Sequence, residues 1–84
     1  MKAILLLAGP YTSNSATKLI WDKACKNEGI TLTTFYATNN NGMELSSKLN
    51  IKSFPALIID NKIIAVGHPD KLDAEKVIHY QVNN

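Results

Sequence analysis

The chain has 84 residues, 45% of them apolar and 19% charged, which is ordinary globular composition at the length of one domain. Nine lysines against seven acids leave a net charge of +2, and the lysines are scattered, so no nucleic-acid footprint is expected. Cys25 stands alone, which excludes an internal disulfide and the stapled secreted class.

The chain opens on "KAILLLAG", a continuous apolar run that predicts a strand buried on both faces. The opening "MKAILLLAGPY" is short for a signal-peptide core, and no run reaches membrane-spanning length. A soluble cytoplasmic protein without membrane partners is therefore expected. "PYTSNS" follows with turn chemistry, and Ser13, Asn14 or Ser15 is placed to cap a helix. That helix is predicted from about Ala16 to Asn27, ending at Gly29. Ala16, Thr17, Ile20, Trp21 and Ala24 share its apolar face, with Cys25 at the edge and Leu19 outside it.

"ITLTTFYAT" is rich in β-branched and aromatic residues and reads as a second strand. "NNNG" reads as a loop, and "MELSSKLN" as a short helix with Leu45 and Leu49 on one side. "SFPALIID" is a third strand with Pro55 at its first residue, and "KIIAVG" returns after a tight turn as its hairpin partner. "HPDKLDAEKVIHYQ" closes as a helix capped by Asp70 or Asp73, with Leu72, Val77 and Ile78 on its buried side. The order is β-α-β-α-β-β-α, an α/β fold. It implies a mixed four-stranded sheet with helices on both faces, and a right-handed crossover joins its first two strands.

Three stretches carry a resemblance to a known family: the element order, the turn "AGPYTSNS", and the segment "LNIKSFPALIIDNKIIAVG". In these the chain resembles the thioredoxin-like superfamily over nearly its whole length, most closely the small glutaredoxin-sized members. The "AG…TSNS" form is also similar to KaiB-type proteins, which lack the cysteine pair. In redox-active members the turn holds Cys-x-x-Cys. Here Thr12 and Ser15 stand at those degenerate positions; the shifted reading "GPYT", Gly9 to Thr12, lacks both sulfurs as well. The resemblance implies a cis peptide before Pro55. It also implies a groove for an extended peptide or thiol ligand, made by residues 10–15 (Tyr11, Thr12, Ser13, Asn14 and Ser15 among them), Ser53, Phe54 and Pro55, and residues 67–70. Gly67 and Asp70 have the Gly-x-x-Asp spacing with which glutaredoxins hold the γ-glutamyl end of glutathione; the same residues equally suit a strand end and a helix cap.

Thiol exchange needs a thiolate, and a hydroxyl ionises far above the cysteine range. No histidine or carboxylate lies close in sequence to Thr12 or Ser15 to serve as a base. Cys25 lies ten residues past Ser15, about 15 Å along a helix at ~1.5 Å per residue, beyond reach of the activating N-terminus. It reads as a small apolar residue, or else as a free regulatory thiol. One cysteine and two separated histidines make no zinc site, and no cofactor motif is present. The expectation is a non-catalytic interaction module that binds another protein or an extended peptide. The alternative is a thiol-disulfide oxidoreductase or glutathione-linked protein acting through Cys25 or a partner's cysteines.

Overall fold

The computed structural model describes residues 1–83, with Ser13 described in its backbone alone. Strand β1 spans Lys2–Leu7, helix α1 Ser15–Asn27, β2 Thr31–Tyr36, α2 Asn40–Lys48, β3 Ala56–Ile59, β4 Lys62–Val66 and α3 Lys71–Asn83. The sheet order is β2-β1-β3-β4. β1 runs parallel to β2, with Leu7 opposite Tyr36, and antiparallel to β3, with Leu6 opposite Ala56. β3 and β4 form an antiparallel hairpin.

The sheet owes its two-sided core to the uninterrupted apolar β1. Ala3, Leu5 and Leu7 point to one face, where they join Leu57 and Ile59 from β3, Trp21, Ala24 and Cys25 from α1, and Ala74 and Ile78 from α3. Leu6 points to the other face with Ala56 and Ile58, and Leu45 and Leu49 beside α2's end cover it. Each fully buried leucine or isoleucine contributes roughly 1.5–3 kcal/mol, so β1 and β3 anchor the fold from both sides. Asp60 and Asn61 make the hairpin turn, both in the left-handed region at φ 53° and 62°. Positive φ at both central residues is what the two-residue hairpin turn of matching twist requires. Next to the Leu57/Ile58 step the β3–β4 register slips by one residue. Ile64 and Ala65 then both lean on the core shared by α1 and α3.

Four expectations need correction. α2 begins at Asn40, inside the "NNNG" stretch expected to be loop. Gly42 allows this: a Cβ there would lie 1.9 Å from the Tyr36 carbonyl oxygen, so only glycine lets the helix pack so closely on the end of β2. Leu72, expected to be buried, is 59% exposed, because α3 buries the arc through Ala74 and Ile78 instead. Ala16 is exposed too, while Cys25 is not at the edge of the core but inside it, 1% exposed.

Candidate functional site

The register fixes where the expected residues gather. β1 ends at Leu7, β3 begins at Ala56 opposite Leu6, and β4 ends at Val66 opposite Ala56. The turn after β1, the approach to β3 and the exit from β4 therefore leave the sheet at one end.

The turn after β1 locks itself. Gly9 carbonyl accepts from the Tyr11 N–H at 2.8 Å and from the Asn14 Nδ2 amide at 2.9 Å. The Asn14 N–H donates to the Tyr11 carbonyl at 3.0 Å, which closes a 3-10 turn over Thr12–Asn14. Asn14 is 8% exposed, a buried polar side chain whose amide is satisfied by this bond. The expected side-chain cap of α1 is absent at Asn14. The reason is the 3-10 turn, which feeds straight into α1, so the Ser15 N–H finds the Thr12 carbonyl and needs no side-chain acceptor. Thr12 and Ser15 are exposed, and so is Tyr11, at 59%. The Ser13 side chain lies outside the described residues.

A cleft of about 230 Å³ opens beside this turn. Pro10, Tyr11, Thr12, Asn14 and Ser15 line it as expected, together with Leu7, Lys18 and Tyr36. Tyr36 enters because β2 pairs in parallel with β1. None of Ser53, Phe54, Pro55, Gly67 or Asp70 lines this cleft, so the expected groove is not one cavity with it. Those residues lie on the opposite flank of the turn.

On that flank Phe54 is half-buried, Pro55 is buried, and the peptide between them is cis. The Pro55 carbonyl accepts from the Gly67 N–H at 2.8 Å, with Gly67 in the left-handed region at φ 95°. Next to it, the His68 ring Nδ1 is hydrogen-bonded to the Thr17 hydroxyl of α1. These two contacts tie the exit of β4 both to the approach to β3 and to the start of α1. Between Ile51 and Pro55, the backbone groups of Lys52, Ser53 and Phe54 make no hydrogen bond among the described residues. Asp70 caps α3: its Oδ1 accepts from the Asp73 N–H at 2.8 Å, and its carbonyl from the Ala74 N–H at 3.1 Å. The Gly-x-x-Asp spacing is thus accounted for by a strand exit and a helix cap.

Cys25 takes no part in this end of the molecule. Burial, with the Asp22 carboxylate adding to it, pushes its thiol up to about 11. Its neighbours are Trp21, Ala24 and the inner residues of β1. A larger cleft of about 370 Å³ runs between α1 and α3. Ala24 and Leu72 line it, and His79 Nδ1 meets Glu28 Oε2 at 2.8 Å across its rim. Among the described residues no three His, Cys, Asp or Glu side chains converge as metal ligands. No described helix is long and apolar enough to cross a membrane.

Sequence reasoning missed three features of this end: Lys18 and Tyr36 beside the turn, and the Thr17–His68 contact. The parallel pairing of β1 and β2 gave a route to Tyr36. Thr17 and His68 are 51 residues apart and carry no local signal of their meeting.

No protein-family model matches the chain, and no curated protein matches it either. Among solved structures, one described as that of a malarial protein is similar, with a TM-score of 0.68 and 20% sequence identity. The likeness covers 94% of this chain and 93% of that one. At that identity it speaks for the fold alone. Element order, strand order and this likeness together give the chain a thioredoxin-like α/β fold.

Proposed function

We propose that this chain is a binding module of the thioredoxin-like superfamily whose redox turn carries hydroxyls in place of thiols, and that it takes up an extended peptide along Lys52–Phe54. The observation that carries the reading is the unpaired backbone of Lys52, Ser53 and Phe54 beside the cis Pro55. Main-chain donors and acceptors without partners are the template on which an extended segment adds itself, and adjacent side chains then supply selectivity. Exposed Tyr11 and half-buried Phe54 offer aromatic contact on either side of the turn. Thr12 and Ser15 supply hydrogen bonds, and neither supplies an electron pair at neutral pH as a thiolate does.

The test is selection of a random displayed peptide library on the full chain, followed by fluorescence polarisation of the selected peptide. Ser53→Pro deletes one of the free N–H groups. The reading expects it to weaken binding at least tenfold while the circular dichroism stays unchanged. It also expects no disulfide reduction in an insulin turbidity assay. Equal binding by Ser53→Pro and Phe54→Ala would refute the groove. Insulin reduction that disappears in Cys25→Ser would favour the oxidoreductase instead.

A further inference from the structure

Thr17 and His68 form a contact that the groove reading does not need and that capping or packing does not explain. Thr17 is 3% exposed, on the third position of α1, so its hydroxyl lies inside the fold. His68 is exposed, between Gly67, which is held by Pro55, and the cap of α3. A ring at the surface is thus fixed by a hydroxyl from below. The nitrogen so fixed is Nδ1. Nε2, on the other side of the ring, is turned away from Thr17.

We infer that the Thr17 hydroxyl donates to His68 Nδ1, that this holds the neutral ring in its Nε2–H form, and that His68 therefore presents a hydrogen-bond donor at the surface, next to the Gly67 that is tied to Pro55 and on the same flank as Lys52–Phe54. A buried hydroxyl proton needs an acceptor, and the unprotonated ring nitrogen of a neutral histidine is one. The ring nitrogen that is not hydrogen-bonded from below then carries the proton, because the partner of one nitrogen sets the tautomer. Thr17 is a positioning residue in this arrangement, and His68 the one that meets the occupant.

The partner chemistry follows, resting on the groove reading above. A fixed N–H donor selects an oxygen acceptor and rejects a second donor, and a carboxylate is the acceptor that bonds it most strongly. The one acid of this segment, Asp70, already accepts from the Asp73 N–H. The occupant is an extended peptide that sets an acidic side chain against His68.

Two measurements on the full chain test this separately. The first is the tautomer, read from the ring nitrogen shifts of His68 by long-range proton–nitrogen correlation at pH 8. His79 serves as an internal comparison, since its Nδ1 faces Glu28. Wild type is expected almost wholly in the Nε2–H form, Thr17→Ser likewise, and Thr17→Val as a mixture. An Nδ1–H ring in wild type, or an unchanged ratio in Thr17→Val, would overturn the assignment. The second uses capped probe peptides, Val-Glu-Val-Glu-Val and Val-Lys-Val-Lys-Val. The glutamate peptide is expected to bind wild type at least fivefold tighter than the lysine peptide, with most of that preference lost in His68→Leu and reduced in the charge-neutral Thr17→Val. A preference that survives His68→Leu would overturn the role of His68. Binding of neither peptide would overturn the groove reading, while the tautomer result would still stand or fall on its own spectrum.

Discussion

Whether any thiol chemistry survives in this chain comes down to Cys25, and its reactivity follows from where it sits. The thiol is raised from 9.0 to about 11 by burial and by Asp22. Two units mean a thiolate population about a hundredfold smaller at any pH below 9, and the thiolate is the species that reacts. Access compounds this, because at 1% exposure an alkylating agent reaches the sulfur only when the structure opens. Alkylation by iodoacetamide at pH 8 is therefore expected to run at least about 100-fold slower in the native chain than in the same chain in urea. The progress can be followed by mass, with Trp21 fluorescence reporting that the fold is intact. A native rate within threefold of the unfolded rate would refute the placement of Cys25 in the core. A native rate above the unfolded one would mean a tuned thiol and would revive the redox alternative.

Other outcomes follow from the same structure. Because the folded thiol stays protonated where the unfolded one ionises, Cys25 stabilises the fold fully below pH 9, and that contribution is lost as pH rises toward 11. Urea titrations at pH 8 and pH 11 should differ by an alkaline loss of about 2 kcal/mol that Cys25→Ala lacks; the same loss in Cys25→Ala would refute it. Gly42→Ala would gain about 1 kcal/mol of helix propensity on an exposed helix. Here its Cβ would meet the Tyr36 carbonyl oxygen at 1.9 Å and carbon at 2.4 Å, so a net loss of about 2 kcal/mol in urea unfolding is expected. A variant more stable than wild type would show that α2 does not pack there. Thr12→Cys places a thiol where the chain enters α1, and its pKa, followed by thiolate absorbance near 240 nm, should fall below the free value of about 8.5. A value at or above that would show that this turn does not favour an anion.

Much of this architecture was readable from residues alone. The apolar run of β1, the β-branched β2 and the hairpin around Asp60-Asn61 state their own geometry, and the alternation of strands and helices fixes the order. What failed did so where packing overrides local preference. Three asparagines and a glycine spell a loop, yet α2 runs through Asn40, Asn41 and Gly42 because a helix without a Cβ at 42 can rest on the end of β2. Apolar spacing puts Leu72 with Val77 and Ile78, but spacing gives relative angles and not the direction of the sheet, and α3 turns Ala74 and Ile78 inward. At the candidate site, Thr12 and Ser15 are recognisable as hydroxyls by identity, and Asp70 announces a cap. The Thr17–His68 pair was invisible because its meeting depends on the whole course of the chain between them, through three strands and a helix.

The Thr12 and Ser15 hydroxyls take no part in the bonds that hold the turn together. Its closure uses the Gly9 and Tyr11 carbonyls and the buried Asn14 amide, and the entry into α1 uses the Thr12 carbonyl. The side chains of Thr12 and Ser15 appear in none of these bonds, and both are exposed. A residue whose side chain has no part in its own turn can be exchanged without cost to the scaffold. In the binding role proposed above, Thr12 and Ser15 would meet a partner as neutral hydrogen-bonding groups, donor and acceptor alike. Together with the unpaired backbone of Lys52–Phe54 and the His68 ring bonded to Thr17, these hydroxyls are the groups on which the proposed binding role rests. The chain's one sulfur of cysteine type, Cys25, is buried in the same core cluster as Trp21.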